Sequence, residues 1–310
     1  MEYVGLSQAK KQSAGYVKKL RLKLTGAELA KELRSTKAKR ILKAKPAGTR
    51  FGVIDDGNLI EGNFFCLVKQ GKYNKVPFFM GGNRNEYSAW LLWYQGPEGK
   101  WAKLWNVLPK GGNKEISEIL NEEEQKTFAL TSSLTSRLWQ AQQNHSVARF
   151  MRQHQDNVFV YDYQWGGTKG SKVDFVLGAS HANEIGYFHY GGDWDWMGQQ
   201  TSLTEENKAA RHALAKAMMT YQAQFAHHGT PNGVAQLPEW KAWSNEKDGV
   251  KTMNLDASSE PGSAELNVFM TRREYIQADL IQEMEESNDE IAQKFTKTIA
   301  KWKLVKLECE

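Results

Sequence analysis

Hydrophobic positions along this chain of 310 residues alternate between helical spacing and short continuous runs that fit buried strands. Tyr16, Val17, Leu20 and Leu24 recur every three to four positions, which predicts a helix over residues 6–24. A second helix over 26–44 is opened by Thr25 or Gly26 with Glu28 behind it, a partial capping signal. Residues 51–60 read as a short extended segment and 76–82 as a strand that ends in Gly81-Gly82. Tyr87–Trp93 begins an aromatic-rich helix, and helices are predicted over 114–126 and 134–152, followed by a strand over Val158–Trp165. Glu205–His228 has the pattern of a long amphipathic helix stopped by Gly229 and Pro231. Lys251–Asp256 reads as a last strand and Arg272–Lys303 as a charged terminal helix. Strands alternating with helices indicate a parallel-rich α/β layer architecture.

An apolar content of 40% with 25% charged residues is that of a soluble globular chain. The longest apolar runs fall far short of the roughly 18 residues a membrane span needs. Charge is uneven, with 13 Lys+Arg against 3 Asp+Glu in residues 1–46, or +10, so the remainder sums to −5. A basic arm can bind nucleic acid. Here few aromatics lie between the lysines, so a solvated helix face is expected, with a complementary acidic partner surface as second choice. Cys66 and Cys309 offer neither metal spacing nor a disulfide framework, and Cys66, in an apolar run, is expected to be a small buried residue.

Two segments carry candidate chemistry. Val76-Pro77-Phe78-Phe79-Met80-Gly81-Gly82-Asn83-Arg84-Asn85-Glu86 ends a strand in a glycine turn and releases a carboxylate, and Gly178-Ala179-Ser180-His181-Ala182-Asn183-Glu184 follows the apolar run Asp174–Leu177. Strand ends are where α/β sheets place catalytic groups. A serine hydroxyl needs a base within hydrogen-bond reach, itself oriented by a carboxylate. Glu86 and His181 are the residue types for those roles, although either taken singly would more often be an ordinary turn residue.

In this order the two segments resemble the type-B carboxylesterases of the α/β-hydrolase superfamily, in which a Gly-x-Asn-x-x-Glu turn carries the triad acid and a Gly-Ala-x-His-x-x-Glu loop the base. The resemblance extends over roughly residues 8–256, through Asn157–Tyr163 and through Met218–Asn232. It implies the C-terminal portion of an α/β-hydrolase fold, a mixed and mostly parallel sheet flanked by helices, over residues 1–256, with 257–310 a charged helical extension of the same domain. It also implies a carboxylic ester hydrolase acting through an acyl-enzyme on a small-molecule ester, without cofactor or metal, with Glu86 as acid, His181 as base and Glu184 bracing the loop. Trp90, Trp93, Phe188 and Tyr190, with Trp194 and Trp196, are candidates to line the substrate pocket, core packing being the alternative for each. Ala182 stands where the family usually has glycine.

The family's Gly-x-Ser-x-Gly elbow has no counterpart in this sequence. Lys11-Gln12-Ser13-Ala14-Gly15 approaches it, but what precedes Ser13 is polar, and Ser13 is expected to be an ordinary helix residue. The expectation is therefore a chain that supplies acid and base but no nucleophile. The serine then comes from an N-terminal half. Alternatives are half of a split esterase and a non-catalytic hydrolase-fold interaction module, of which the retained Glu86 and His181 argue against the second. Gly191–Trp196 and His227-His228 are weak metal candidates, since adjacent histidines point apart on a helix. Nucleic-acid binding and a membrane span are not expected, and compartment is left open.

Overall fold

The computed structural model describes residues 3–46, 49, 52–93, 101–194, 202–290 and 293, and these fall into two compact units divided between Gln70 and Gly71.

The first unit pairs β1 (Tyr3–Gly5) in parallel with β2 (Val53–Asp55) and carries helices α1 (Leu6–Lys19), α2 (Gly26–Ser35), α3 (Ala38–Lys43) and α4 (Phe64–Lys69). The helix expected over 6–24 stops at Lys19 because the chain turns through Arg21 at φ +58°. The helix expected over 26–44 breaks after Ser35, where the Ser35 and Thr36 hydroxyls both donate to the Glu32 carbonyl and offer the backbone an exit. All 13 lysines and arginines of residues 3–46 are exposed. Cys66 departs from expectation. It lies half-buried in α4 and is disulfide-bonded, so it is not a free apolar filler, and the other cysteine, Cys309, falls outside the described residues.

The second unit is built on a sheet in the order β3 (Phe78–Asn83), β4 (Val158–Tyr163), β5 (Thr252–Leu255), β6 (Phe269–Thr271). The first three strands are parallel, and β6 returns antiparallel on β5. α5 (Ser88–Trp93) follows β3. α6 (Glu122–Gln140) is opened by a capping box between Asn121 and Glu124, with Glu122, Glu123 and Glu124 facing the positive end of the helix dipole. It continues through a π-turn over Ala141–His145 into α7 (Ser146–Met151). The sequence pattern divides this run into 114–126 and 134–152 because Thr127, Thr131 and Thr135 interrupt its apolar periodicity. In the fold, the Thr131 and Thr135 hydroxyls bond back to carbonyls four residues earlier at 2.7 and 2.6 Å, which satisfies them inside a helix. Over residues 114–121 the expected helix is replaced by a 3₁₀ turn at Ile116–Glu118.

α8 (Lys172–Val176), α9 (Ile185–His189) and α10 (Lys208–His228) follow β4, and Gly229 ends α10 at φ +71°. α11 (Gln277–Glu286) is the described part of the helix expected over Arg272–Lys303, whose residues from 294 onward fall outside the described ones. β6 carries no sequence signal strong enough to predict it.

The strand positions alternate between two layers. Phe159 and Tyr163 face a core with Tyr187 and Phe188 of α9 and Leu214, Met218 and Tyr221 of α10. α6, the π-turn and α7 lie against β3 and β4 from the opposite side. Leu280 and Met284 of α11 bury against Leu134 and Leu138 of α6. Three parallel strands thus end together, and the turns that leave β3 and β4 meet at that end.

Candidate active site

The turn after β3 is tied to the loop after β4 at every step. Asn85 and Ser180 form an isolated parallel bridge, in which the Asn85 N–H donates to the Ala179 carbonyl at 2.9 Å and the Ala179 N–H donates to Asn85 Oδ1 at 3.2 Å. Ser88 Oγ donates to the Leu177 carbonyl at 2.6 Å, and the Arg84 guanidinium pairs with Asp174 of α8 at 2.5 Å. Gly178 sits at φ +56°, and a Cβ there would lie 2.2 Å from Asn85 Oδ1, so the loop can approach the turn only through glycine.

This scaffold brings Glu86 and His181 together across 95 positions of chain, with Glu86 Oε2 2.7 Å from His181 Nδ1. The other carboxylate oxygen, Oε1, accepts the Asn83 N–H at 3.0 Å. Glu86 is nearly sealed, at 7% side-chain exposure, while the imidazole is 37% exposed. The hydrogen bond to Glu86 raises the His181 pKa above its usual value, partly opposed by burial. Such an arrangement fixes the ring and favours its charged form, which is what a base must reach after accepting a proton.

Asn83 is the hub beneath the pair. Its side-chain N–H groups donate to the Ser180 carbonyl at 2.7 Å and to Glu184, and its carbonyl accepts from Gln140 at 2.8 Å. Glu184 thus braces the loop through Asn83, and its own pKa is raised by burial. Trp90 and Trp139 flank the imidazole with ring centroids 5.5 and 6.3 Å away, and Trp93 packs edge-on against Trp90 at 5.3 Å.

Of the pocket candidates, Trp90 and Trp93 reach this end and Phe188 and Tyr190 do not. Phe188 is buried in the core against Phe79 and Tyr161, because α9 faces the sheet with that side. Tyr190 is exposed and stacks on Trp194, and Trp196 lies outside the described residues. Trp139, Asn83 and Gln140 were not singled out from the sequence. Asn83 stands inside the quoted turn motif, whereas Trp139 and Gln140 gave no local signal, being placed by the helix that carries them.

Asp193 bonds to Arg211 and His212, and no group of three or more His, Cys, Asp or Glu among the described residues could hold a metal. Ser13 lies exposed in the middle of α1. Ser7 stands nearer a strand-to-helix turn, but non-glycine residues with positive φ occur, among the described ones, only at Arg21, Asn113 and Ala182, so Ser7 lacks an elbow's strain.

A model of the carboxylesterase family matches residues 4–274. The chain belongs to the carboxylesterase family. Bovine carboxylesterase 4A is 25% identical over 232 residues, covering 67% of this chain and 38% of the relative. Human carboxylesterase 3 is 27% identical over 229 residues, covering 64% and 38%. Rat acylcarnitine hydrolase is 34% identical over a shorter stretch of 103 residues, 33% of this chain and 17% of the relative. Among solved structures, a PNB esterase aligns at TM-score 0.53 and 16% identity over 87% of this chain and 53% of its own. Geobacillus stearothermophilus carboxylesterase EST55 aligns at 0.53 and 18%, over 86% and 52%. This chain therefore spans about two fifths of the first two relatives and about half of the solved structures. The four-stranded, mostly parallel sheet with helices on both faces is part of an α/β-hydrolase fold. Among the described residues no helix is long and apolar enough to cross a membrane.

Proposed function

We propose that this carboxylesterase-family chain supplies the base and its orienting acid to a serine-type carboxylic ester hydrolase. His181 accepts the nucleophile's proton, Glu86 holds the imidazole in the productive tautomer and stabilises its charged form, and Asn83, with Glu184 behind it, fixes the geometry of both. The 2.7 Å contact between Glu86 and His181 carries this reading. Trp90, Trp93 and Trp139 supply an apolar wall for the ester. The serine and the oxyanion donors come from a segment that is not in this sequence, which contains no Gly-x-Ser-x-Gly.

Missing oxyanion donors alone remove about two to three powers of ten in rate. The chain by itself is therefore expected to hydrolyse p-nitrophenyl acetate little faster than free imidazole. Mixed with a serine-bearing N-terminal segment of a carboxylesterase, it should give turnover that a serine-directed phosphonate blocks and that His181→Ala abolishes. A phosphonate label mapped to Ser7, Ser13 or any other serine of this chain, with turnover lost in step, would overturn the assignment.

A further inference from the structure

Beneath the Glu86–His181 pair lies a second buried carboxylate. Asp162 interrupts the run Val158-Phe159-Val160-Tyr161-Asp162-Tyr163 and is 2% exposed. It faces the layer of α6, where the sheet alternation would otherwise place an apolar side chain. Its strand neighbour in register is Gly82. A Cβ on Gly82 would fall 2.4 Å from Asn144 Nδ2, 3.3 Å from Gln140 Cγ and 3.5 Å from Glu86 Oε1, so the glycine keeps open the space through which Gln140 passes between the two carboxylates.

Gln140 Nε2 donates to the Asn83 carbonyl at 2.8 Å and to Asp162 Oδ1 at 3.3 Å. The Asn83 N–H in turn holds Glu86 Oε1. An unbroken line of hydrogen bonds therefore runs from Asp162 through Gln140, Asn83 and Glu86 to His181. Directly after Gln140 the helix takes its π-turn, a local change of register of the kind that recurs at functional sites. The charged and polar groups that face Asp162 are Gln140 from α6, Arg273 beyond β6 at 3.3 Å, Gln164 from the end of its own strand, Arg84 from the acid turn, and the Tyr275 phenol. Burial outweighs them and pushes the Asp162 pKa up to about 6.

We propose that Asp162 is a positioning residue for the Glu86–His181 pair, holding the Gln140 carboxamide against the Asn83 carbonyl and so fixing the turn that presents Glu86 to His181. This rests on the reading of Glu86 and His181 as acid and base. When Asp162 takes up a proton, the carboxamide loses a charged acceptor, the turn loosens, and the imidazole loses part of its carboxylate contact. The pair is held firmly above about pH 6 and less firmly below it.

The imidazole of His181 in the full chain can be titrated by ¹H–¹⁵N correlation spectroscopy, with His181→Gln giving the assignment and far-UV circular dichroism checking the fold of each variant. The native curve is expected to depart from single-site behaviour near pH 6. Asp162→Asn should restore a single-site curve and lower the His181 pKa by about half a unit, a fraction of what a direct carboxylate partner contributes. Gln140→Met, or Gln140→Ala if the first does not fold, should give the same shift, and the double variant no more than either single one. A shift with Asp162→Asn but not with the Gln140 variants would mean that Asp162 acts only as a distant charge, and no shift with either would mean that it does not act on the pair. Both results overturn the proposal. Glu86→Gln separates this from failure of the parent reading, because it should lower the His181 pKa by about one unit or more in either case. If it does not, the acid–base assignment itself falls.

Discussion

Glu86, in the turn that leaves β3, and Asp162, near the end of the adjacent β4, are linked through Gln140 and the Asn83 backbone, yet their surroundings differ in kind. Glu86 receives a backbone N–H at 3.0 Å and an imidazole at 2.7 Å. Asp162 receives Gln140 and Arg273 at 3.3 Å each and is sealed from water on every side. Both are buried, but only one is placed where a partially exposed base can reach it. On the function proposed above, burial alone is thus a poor guide to which carboxylate takes part in chemistry. Short donors aimed at both oxygens, next to a partly exposed imidazole, are a better one.

The largest effect expected from this comparison is on stability. Because the folded-state pKa of Asp162 lies near 6, above its ordinary 3.8, its contribution is fully present below pH 3.8 and is lost as pH rises through 6. Asp162→Asn lacks that dependence. The variant should gain about 3 kcal/mol on the native chain between pH 4 and pH 7, an order-of-magnitude figure from the size of the shift. Urea melts of both proteins at those two pH values measure it. A difference that stays flat with pH would erase the contrast between the two carboxylates.

A smaller effect is expected at the hub. Asn83→Ala removes the donors to the Ser180 carbonyl and to Glu184 but leaves the backbone N–H that holds Glu86. The Ser180 carbonyl keeps the Asn183 N–H at 3.1 Å, but Glu184 loses its donor, which costs about 1 kcal/mol, visible as a lower denaturation midpoint. The contact between Glu86 and His181 should survive, so the His181 titration should move little. A collapse of that titration would show that the side chain of Asn83, and not its backbone, secures the acid.

How much of this was legible in the sequence depended on whether a signal was local. The strand before Glu86, the loop around His181 and the long α10 each carry their turn glycines and apolar runs within a dozen positions, and all three could be predicted. The merging of two expected helices into one run could not, since it turns on threonine hydroxyls that bond back to their own helix. Nor could the pairing of Gln140 with Asn83, 57 positions apart, because it is set by which elements the fold packs together. The four aromatic pocket candidates divided for the same reason: Trp90 and Trp93 sit on the helix that leaves the acid turn, while α9 turns Phe188 into the core.

The smallest effect concerns the histidine side of the pair. Ala182, next to His181, is held at φ +66°, a left-handed conformation in which a Cβ crowds the following carbonyl. Its neighbours hold it there: the Asn183 N–H bonds back to the Ser180 carbonyl at 3.1 Å, and the Ile185 N–H to the Ala182 carbonyl at 3.3 Å, so the backbone cannot relax without releasing the loop. Alanine in that conformation costs roughly 1 kcal/mol that glycine does not, and glycine gives some of this back through the greater freedom of its unfolded chain. Ala182→Gly is therefore expected to stabilise the chain by about 0.5 kcal/mol and to leave the His181 pKa where it is, because Glu86 reaches the ring from the separate turn after β3. The melting midpoint and the imidazole titration together check both halves. If the variant were instead less stable, the loop's conformation would have to be set by contacts of the Ala182 methyl rather than by backbone bonding, and the histidine would be positioned by packing and not, like Glu86, by hydrogen bonds.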